Sequence, residues 1–317
     1  MKLTYLTLCV LLTLGFVSCR KDKQDIGIKE FDEQQITAYI KANGLNNMKR
    51  ADGDTSGIYY EILNQGTGAT LRYQDTIAYT FSINSLDGLY NSTDTVFNHG
   101  WSFVGQLIPS GVQQAVYNLV KTKGTRARFL IPSRLAYGSS GFGNGSSRLR
   151  GNQSLYYYIN VINNQDAYDD ACIQSYFKNT NSNPAEYTKI TSGRYAGLYY
   201  KIRKAGTGTT LINETSTVAI DYKGSFLNGT VFDPSNYSEN NNASPATYDL
   251  NNPNALIPGF REALLLAKNQ GTDITVIVPS RLAYGRPGSV NPTTRAVVIP
   301  SNSVLIFDVT INTVTNP

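Results

Sequence analysis

Ile131-Pro-Ser-Arg-Leu-Ala-Tyr-Gly138 returns as Val278-Pro-Ser-Arg-Leu-Ala-Tyr-Gly285, with one conservative change in eight positions. A repeat of that length makes the chain a tandem duplication of one module. The correspondence extends upstream. Asp32 to Asn43 and Asp169 to Asn179 each read as a short helix, in which Ile36, Tyr39 and Ile40 match Ile173, Tyr176 and Phe177 as an i, i+3, i+4 apolar stripe. Acidic residues precede each stripe and suit a helix N-terminus. Ser56-Gly-Ile-Tyr-Tyr-Glu-Ile62 and Ala196-Gly-Leu-Tyr-Tyr-Lys-Ile202 follow as strands, each running into a Gly-Thr-Gly turn at Gly66 and Gly206. The spacing between copies is 140 residues at these turns and 147 at the signature, so the second copy carries insertions. The boundary falls within Asn163 to Asp170, unless both leading helices belong to one shared linker region.

The second copy continues with an alternating strand, Ser216 to Gly224, a turn into a short strand at Gly229 to Asp233, and a helix, Phe260 to Lys268, stopped by Gly271. Strands at Thr272 to Val278 and Val304 to Ile311 close the unit. This order predicts an α+β fold of two tandem domains, each a twisted antiparallel sheet wrapped around a short helix.

The N-terminus reads as an export signal. Lys2 precedes a short apolar run from Leu6 to Val17, too short to span a bilayer. Phe16-Val17-Ser18-Cys19 resembles a bacterial lipobox with Phe in place of the usual Leu, which makes Cys19 the lipidation site. An ordinary cleaved signal with a chance Cys is the alternative. The expected layout is a signal at 1–19, a tether at 20–31, a degenerate first domain at 32–165 and a second domain at 166–317. The expected location is the bacterial envelope, anchored by lipid and facing the periplasm or cell surface. Cys9 leaves with the signal, so Cys172 stands alone and reads as a structural thiol with no nearby His. The formal charge of +5 is dispersed without a Lys/Arg cluster, which argues against nucleic-acid binding. A single His and the absence of phosphate-loop or zinc spacing point to chemistry without metal or cofactor.

From Gly197 to Val314 the second copy resembles FKBP-type (macrolide-binding) peptidyl-prolyl cis-trans isomerases. The matching stretches are Tyr222-Lys-Gly224, Gly229 through Phe232-Asp233, Leu256-Ile-Pro-Gly-Phe260, Pro279 through Ala283-Tyr284-Gly285, Ile299-Pro300 and Leu305-Ile-Phe307. The resemblance implies an aromatic pocket walled by Tyr222, Phe232, Phe260 and Phe307, with Phe260 on the floor where the family usually has Trp. It places Leu256, Ile257, Ala283 and Ile299 against substrate, with the Ile257 N–H and the Tyr284 hydroxyl as donors and the Asp233 carboxylate beside Tyr222. Ala246 stands where the family often has an aromatic, with Tyr248 two residues on. The loop from Gly285 to Val298 is expected to overhang the cleft.

In the first copy, Tyr79 reads as the match to Tyr222, with Phe81 replacing the following Gly and Tyr90-Asn91 replacing Phe-Asp. Val112 falls on the floor, and Leu149-Arg150 replaces Ile299-Pro300. Two functions follow. One is isomerisation of X–Pro bonds in exported or envelope proteins by the second domain alone, with proline-containing polypeptides as partners. The other is non-catalytic peptide binding or assembly, with both folds as interaction modules.

Overall fold

The computed structural model describes residues 26–51, 53–94, 96–145, 148–234 and 245–317. The signal and lipidation expectations, Cys19 included, lie outside the described residues. None of the described helices is long and apolar enough to cross a membrane.

The duplication is visible strand by strand. The first module holds β1 (Tyr59–Asn64), β2 (Thr76–Ser85), β3 (Asn91–Ser92), β4 (His99–Phe103), β5 (Arg126–Ile131) and β6 (Leu155–Ile162), ordered β1-β5-β6-β2-β3 with β4 also on β2. The second holds β7 (Thr188–Lys189), β8 (Tyr199–Lys204), β9 (Thr217–Phe226), β10 (Val231–Asp233), β11 (Ala246–Asp249), β12 (Asp273–Val278) and β15 (Leu305–Thr315). Their order is β7-β8-β12-β15-β9-β10 with β11 on β9. The second sheet is therefore the first with β7 added at one edge. A separate ribbon, β13 (Ser289–Val290) with β14 (Val297–Ile299), lies within the long loop after the second signature.

Each sheet carries a helix on both faces. Inside the second sheet lies α4 (Pro258–Ala267), which buries Phe260, Ala263, Leu264 and Ala267, the i, i+3, i+4, i+7 face. Pro258 opens this helix, where its missing N–H costs nothing. Gly259 is required because a Cβ there would collide with the Val278 side chain. In the first module, α2 (Ser110–Ala115) continues as a π-turn over Val116–Val120, and Gly111 meets Ile131 in the same way.

The outer helices are α1 (Ile28–Ala42) and α3 (Gln165–Asn179). Each starts four residues before its expected position, so the last residues assigned to a tether are helical and Gln165 opens the second module's helix. Each packs on its own sheet rather than forming a shared linker. Ile36 joins Met48 and Leu130, while Ile173 and Phe177 join Tyr199, Ile277, Val304 and Ile306.

The modules touch through the segment before β4. Val96 packs into the second module's core, and the Phe97 ring meets Phe226 edge-on at 5.6 Å. Arg286, at the base of the long loop, lies over the Trp101 ring at 5.9 Å.

Candidate active site

Alternation along β9 turns Val218, Ile220 and Tyr222 inward, and β15 turns Leu305, Phe307 and Val309 toward the same helix. Tyr222, Phe260 and Phe307 meet there. The Tyr222–Phe260 centroids are 5.2 Å apart, and those of Phe260–Phe307 are 4.5 Å apart. Phe232, half-buried on β10, stands perpendicular to Phe307 at 5.8 Å. These are the separations that favour offset and edge-to-face ring packing. The four expected wall residues thus form one aromatic cup, with Phe260 as its base.

Tyr248 closes the cup from β11, its ring edge-on to Phe260 at 6.4 Å. The sequence places it two residues beyond the position where an aromatic is expected. The register places Ala246 against Ile220 and Tyr248 against Val218, which moves the aromatic one inward-facing step along the strand.

Polar groups stand around the cup. The Tyr222 hydroxyl donates to Asp233 Oδ2 at 2.8 Å, and the Tyr248 hydroxyl lies 3.4 Å from that of Tyr222. Burial, then the nearby charge of Asp233 and the Tyr248 phenol, hold the Tyr284 hydroxyl above its ordinary pKa of 10.0, so it stays protonated as a donor. Tyr284 remains 39% exposed, accessible to a bound chain. Ile257 directly precedes α4, and its carbonyl accepts from Phe260 and Arg261, each at 3.1 Å. Leu256 and Ala283 are half-buried against the core cluster, and Ile299 is buried in it.

Gly224 has a separate steric role. A Cβ at this position would lie 2.6 Å from Phe232 Cζ and 3.2 Å from Phe307 Cε1. The glycine lets two wall rings close over the strand.

The first module differs more than its sequence suggested. Sheet pairing sets Ile83 opposite Tyr157, as Gly224 is opposite Phe307, which aligns Gly88 with Gly229. Phe81, not Tyr79, therefore holds the place of Tyr222, and Ile83 that of Gly224. Asn91-Ser92, rather than Tyr90-Asn91, replaces Phe232-Asp233. The hydroxyl, the carboxylate, the glycine and a wall aromatic are all changed. Ile83 is buried, and Phe81 stacks on the buried Tyr157 at 5.9 Å.

A cleft of about 430 Å³ opens elsewhere, between the modules, and both His99 and Cys172 line it. The structure thus brings a His into the same cleft as Cys172, contrary to the sequence expectation. Burial nevertheless pushes the Cys172 thiol up, which disfavours the thiolate a nucleophile needs.

The sequence pattern of the family described as "FKBP-type peptidyl-prolyl cis-trans isomerase" matches residues 208–312. Within the second module these residues match the FKBP-type family. The chain is 35% identical over 122 residues to "FKBP-type peptidyl-prolyl cis-trans isomerase FkpA" of Aeromonas hydrophila, covering 38% of this chain and 40% of that protein. It is 40% identical over 114 residues to a "Probable FKBP-type peptidyl-prolyl cis-trans isomerase" of Haemophilus influenzae, covering 36% of this chain and 41% of that protein. The crystal structure of FkpA from Escherichia coli aligns at 28% identity with a TM-score of 0.36, over 48% of this chain and 62% of that one. The matched part is thus about two-fifths of the length of these curated relatives, and it contains every cup residue of the FKBP-type module.

Proposed function

We propose that this chain is a peptidyl-prolyl cis-trans isomerase that works through its second module on X–Pro bonds of exported or envelope proteins. The observation that carries this reading is the convergence of Phe232, Phe260 and Phe307 around the Tyr222–Asp233 hydrogen bond, 2.8 Å long. Twisting an amide out of plane sacrifices resonance, with a barrier of about 18–20 kcal/mol. Water solvates the polar planar form and so favours the ground state. An aromatic cup excludes that water and accepts the proline ring by shape. The Ile257 N–H and the Tyr284 hydroxyl hold carbonyls on either side, so binding energy is directed to the twisted geometry. Asp233 fixes the Tyr222 ring as a wall. No covalent intermediate is required.

The first module reads as non-catalytic, because Phe81, Ile83, Asn91, Ser92 and Val112 occupy the positions that make the cup. The same proposal places the chain in the bacterial envelope, held by lipid at Cys19, with proline-containing polypeptides as its partners and no nucleic acid. A protease-coupled prolyl isomerisation assay tests the activity on the full chain, with Asp233→Ala and Phe260→Ala as variants. Turnover that falls at least tenfold in both variants supports the reading. A folded wild-type chain with no rate above background overturns it and favours a non-catalytic peptide-binding role.

A further inference from the structure

The helices that lead each module lie outside the stretch matched by the family pattern, yet each reaches back to the signature with a buried acid. Asp169 on α3 is 1% exposed, and its Oδ2 accepts the Ser280 N–H at 2.8 Å. Its Oδ1 accepts from Gln165 Nε2 at 2.7 Å. Ser280 opens the 3-10 turn Ser280–Leu282, which runs straight into Ala283 and Tyr284. Arg281 on the same turn bridges to Asp166 of α3 at 3.1 Å, to the Arg194 carbonyl at 3.0 Å and to the Ala196 carbonyl. The first module repeats the device independently. Asp32 on α1 accepts from the Ser133 N–H at 3.1 Å and pairs with Arg134 at 3.2 Å, while Arg134 also reaches the Ser56 carbonyl. The Ser-Arg pair shared by both signatures is thus bound by the outer helix in both modules.

We infer that Asp169 is a positioning residue for prolyl isomerisation, clamping the Ser280–Leu282 turn so that Tyr284 is held at the rim of the cup. The functional module accordingly begins at α3, not at residue 208. This rests on the isomerase reading above. The carboxylate is 111 residues in sequence from the N–H that donates to it, and it fixes the turn from the far side of the sheet without touching substrate. A turn deprived of the bond can shift by a fraction of an ångström, and displacement of about 1 Å in a positioned group can cost up to about a hundredfold in rate.

The test compares the full chain with Asp169→Ala, Asp169→Asn and Asp32→Ala, reading isomerisation, melting temperature and amide hydrogen exchange over 280–285 and 133–138. Asp169→Ala is expected to speed exchange over 280–285 and lower kcat/KM about tenfold, chiefly through kcat. Asp169→Asn should recover most of both. Its amide oxygen can still accept from Ser280, and its NH₂ can donate to Gln165 Oε1, which is buried without a partner. Asp32→Ala should loosen 133–138 and leave kcat/KM unchanged. The inference is overturned if folded Asp169→Ala exchanges like wild type over 280–285. It also fails if Asp169→Ala keeps full activity despite the loosened turn, or if Asn recovers the fold but not the rate. An inactive wild-type chain sinks the isomerase reading itself and reduces the clamp to a structural bond.

Discussion

Gly224→Ala separates pocket geometry from stability. The new Cβ would stand 2.6 and 2.7 Å from two atoms of the Phe232 ring and 3.2 Å from Phe307. Carbon atoms rest comfortably at about 3.5–4.0 Å, so the Phe232 ring must retreat by roughly 1 Å. Phe232 is only half-buried, so it has solvent to move into. Overpacking of this kind costs about 1–3 kcal/mol in a closed core, and the low end applies here. Gly224 lies in an extended strand where alanine is allowed, and loss of glycine's freedom in the unfolded chain returns about 0.4–1 kcal/mol. Net stability should therefore change by about 1 kcal/mol or less. Catalysis has no such tolerance, since a wall displaced by about 1 Å can cost up to a hundredfold. The expected result is a fall in kcat/KM of about 10- to 100-fold in the protease-coupled assay, with a melting temperature within about 4 °C of wild type. If a folded Gly224→Ala chain isomerises within twofold of wild type, Phe232 is not a wall of the working site and the steric account fails.

Other expectations are smaller in scope. Tyr222→Phe removes the hydroxyl that donates to Asp233 at 2.8 Å; a lost hydrogen bond of this kind costs about 1–1.5 kcal/mol, so kcat/KM should drop about five- to tenfold, and an unchanged rate would dismiss the pair as incidental. The Tyr284 pKa is raised above its ordinary 10.0, chiefly by burial, so its contribution to stability is complete below pH 10 and is lost as pH climbs through the folded-state value. The pH profile of kcat/KM should therefore be level from pH 7 to about 10, and an alkaline limb near pH 9 that vanishes in Tyr284→Phe would contradict that environment. Val96→Asp places a carboxylate in the second module's core; calorimetry should show the module transitions separating by several degrees, whereas an unaltered thermogram would mean the modules melt independently of this contact.

Much of this was legible in the chain, and the failures have physical causes. The signature, the helix after Pro258-Gly259 and the long closing strand are local patterns, and each forms, with the helix opening two residues early at Pro258 and the strand running on to Thr315. The first module's register was misread because Tyr79 and Phe81 share one face of β2. A two-residue slip leaves the inward-outward alternation intact, so only the sheet pairing distinguishes the two alignments. Tyr248 shows the same ambiguity, displaced by one same-face step from Ala246. The acidic residues ahead of each apolar stripe suggest only a helix N-terminus, because a local pattern contains no information about the acceptor role of Asp32 and Asp169 across more than a hundred residues. The proximity of His99 to the Cys172 cleft was equally invisible, since it arises where two modules meet.

The two copies sort their residues by task. Both retain the glycine before the floor position, Gly111 and Gly259, where a Cβ would strike the neighbouring strand. Both also retain the Pro-Ser-Arg turn and the buried acid that binds it. Both features hold the helix and the turn against the sheet, and they persist whether or not there is a pocket. The positions that diverge are Tyr222, Gly224, Phe232, Asp233 and Phe260, which leave space or place polarity at the centre of the second sheet. The first module has Phe81 and Ile83 at the first two of these, and its centre is closed by apolar packing. Burying a side chain such as Ile contributes about 1.5–3 kcal/mol, whereas an open aromatic cup forgoes part of that contribution. A module whose cup is filled gains stability from that packing, while retaining an outer surface on which Val96, Phe97 and Trp101 meet the second module. The sequence differences between the copies follow that exchange of pocket for packing.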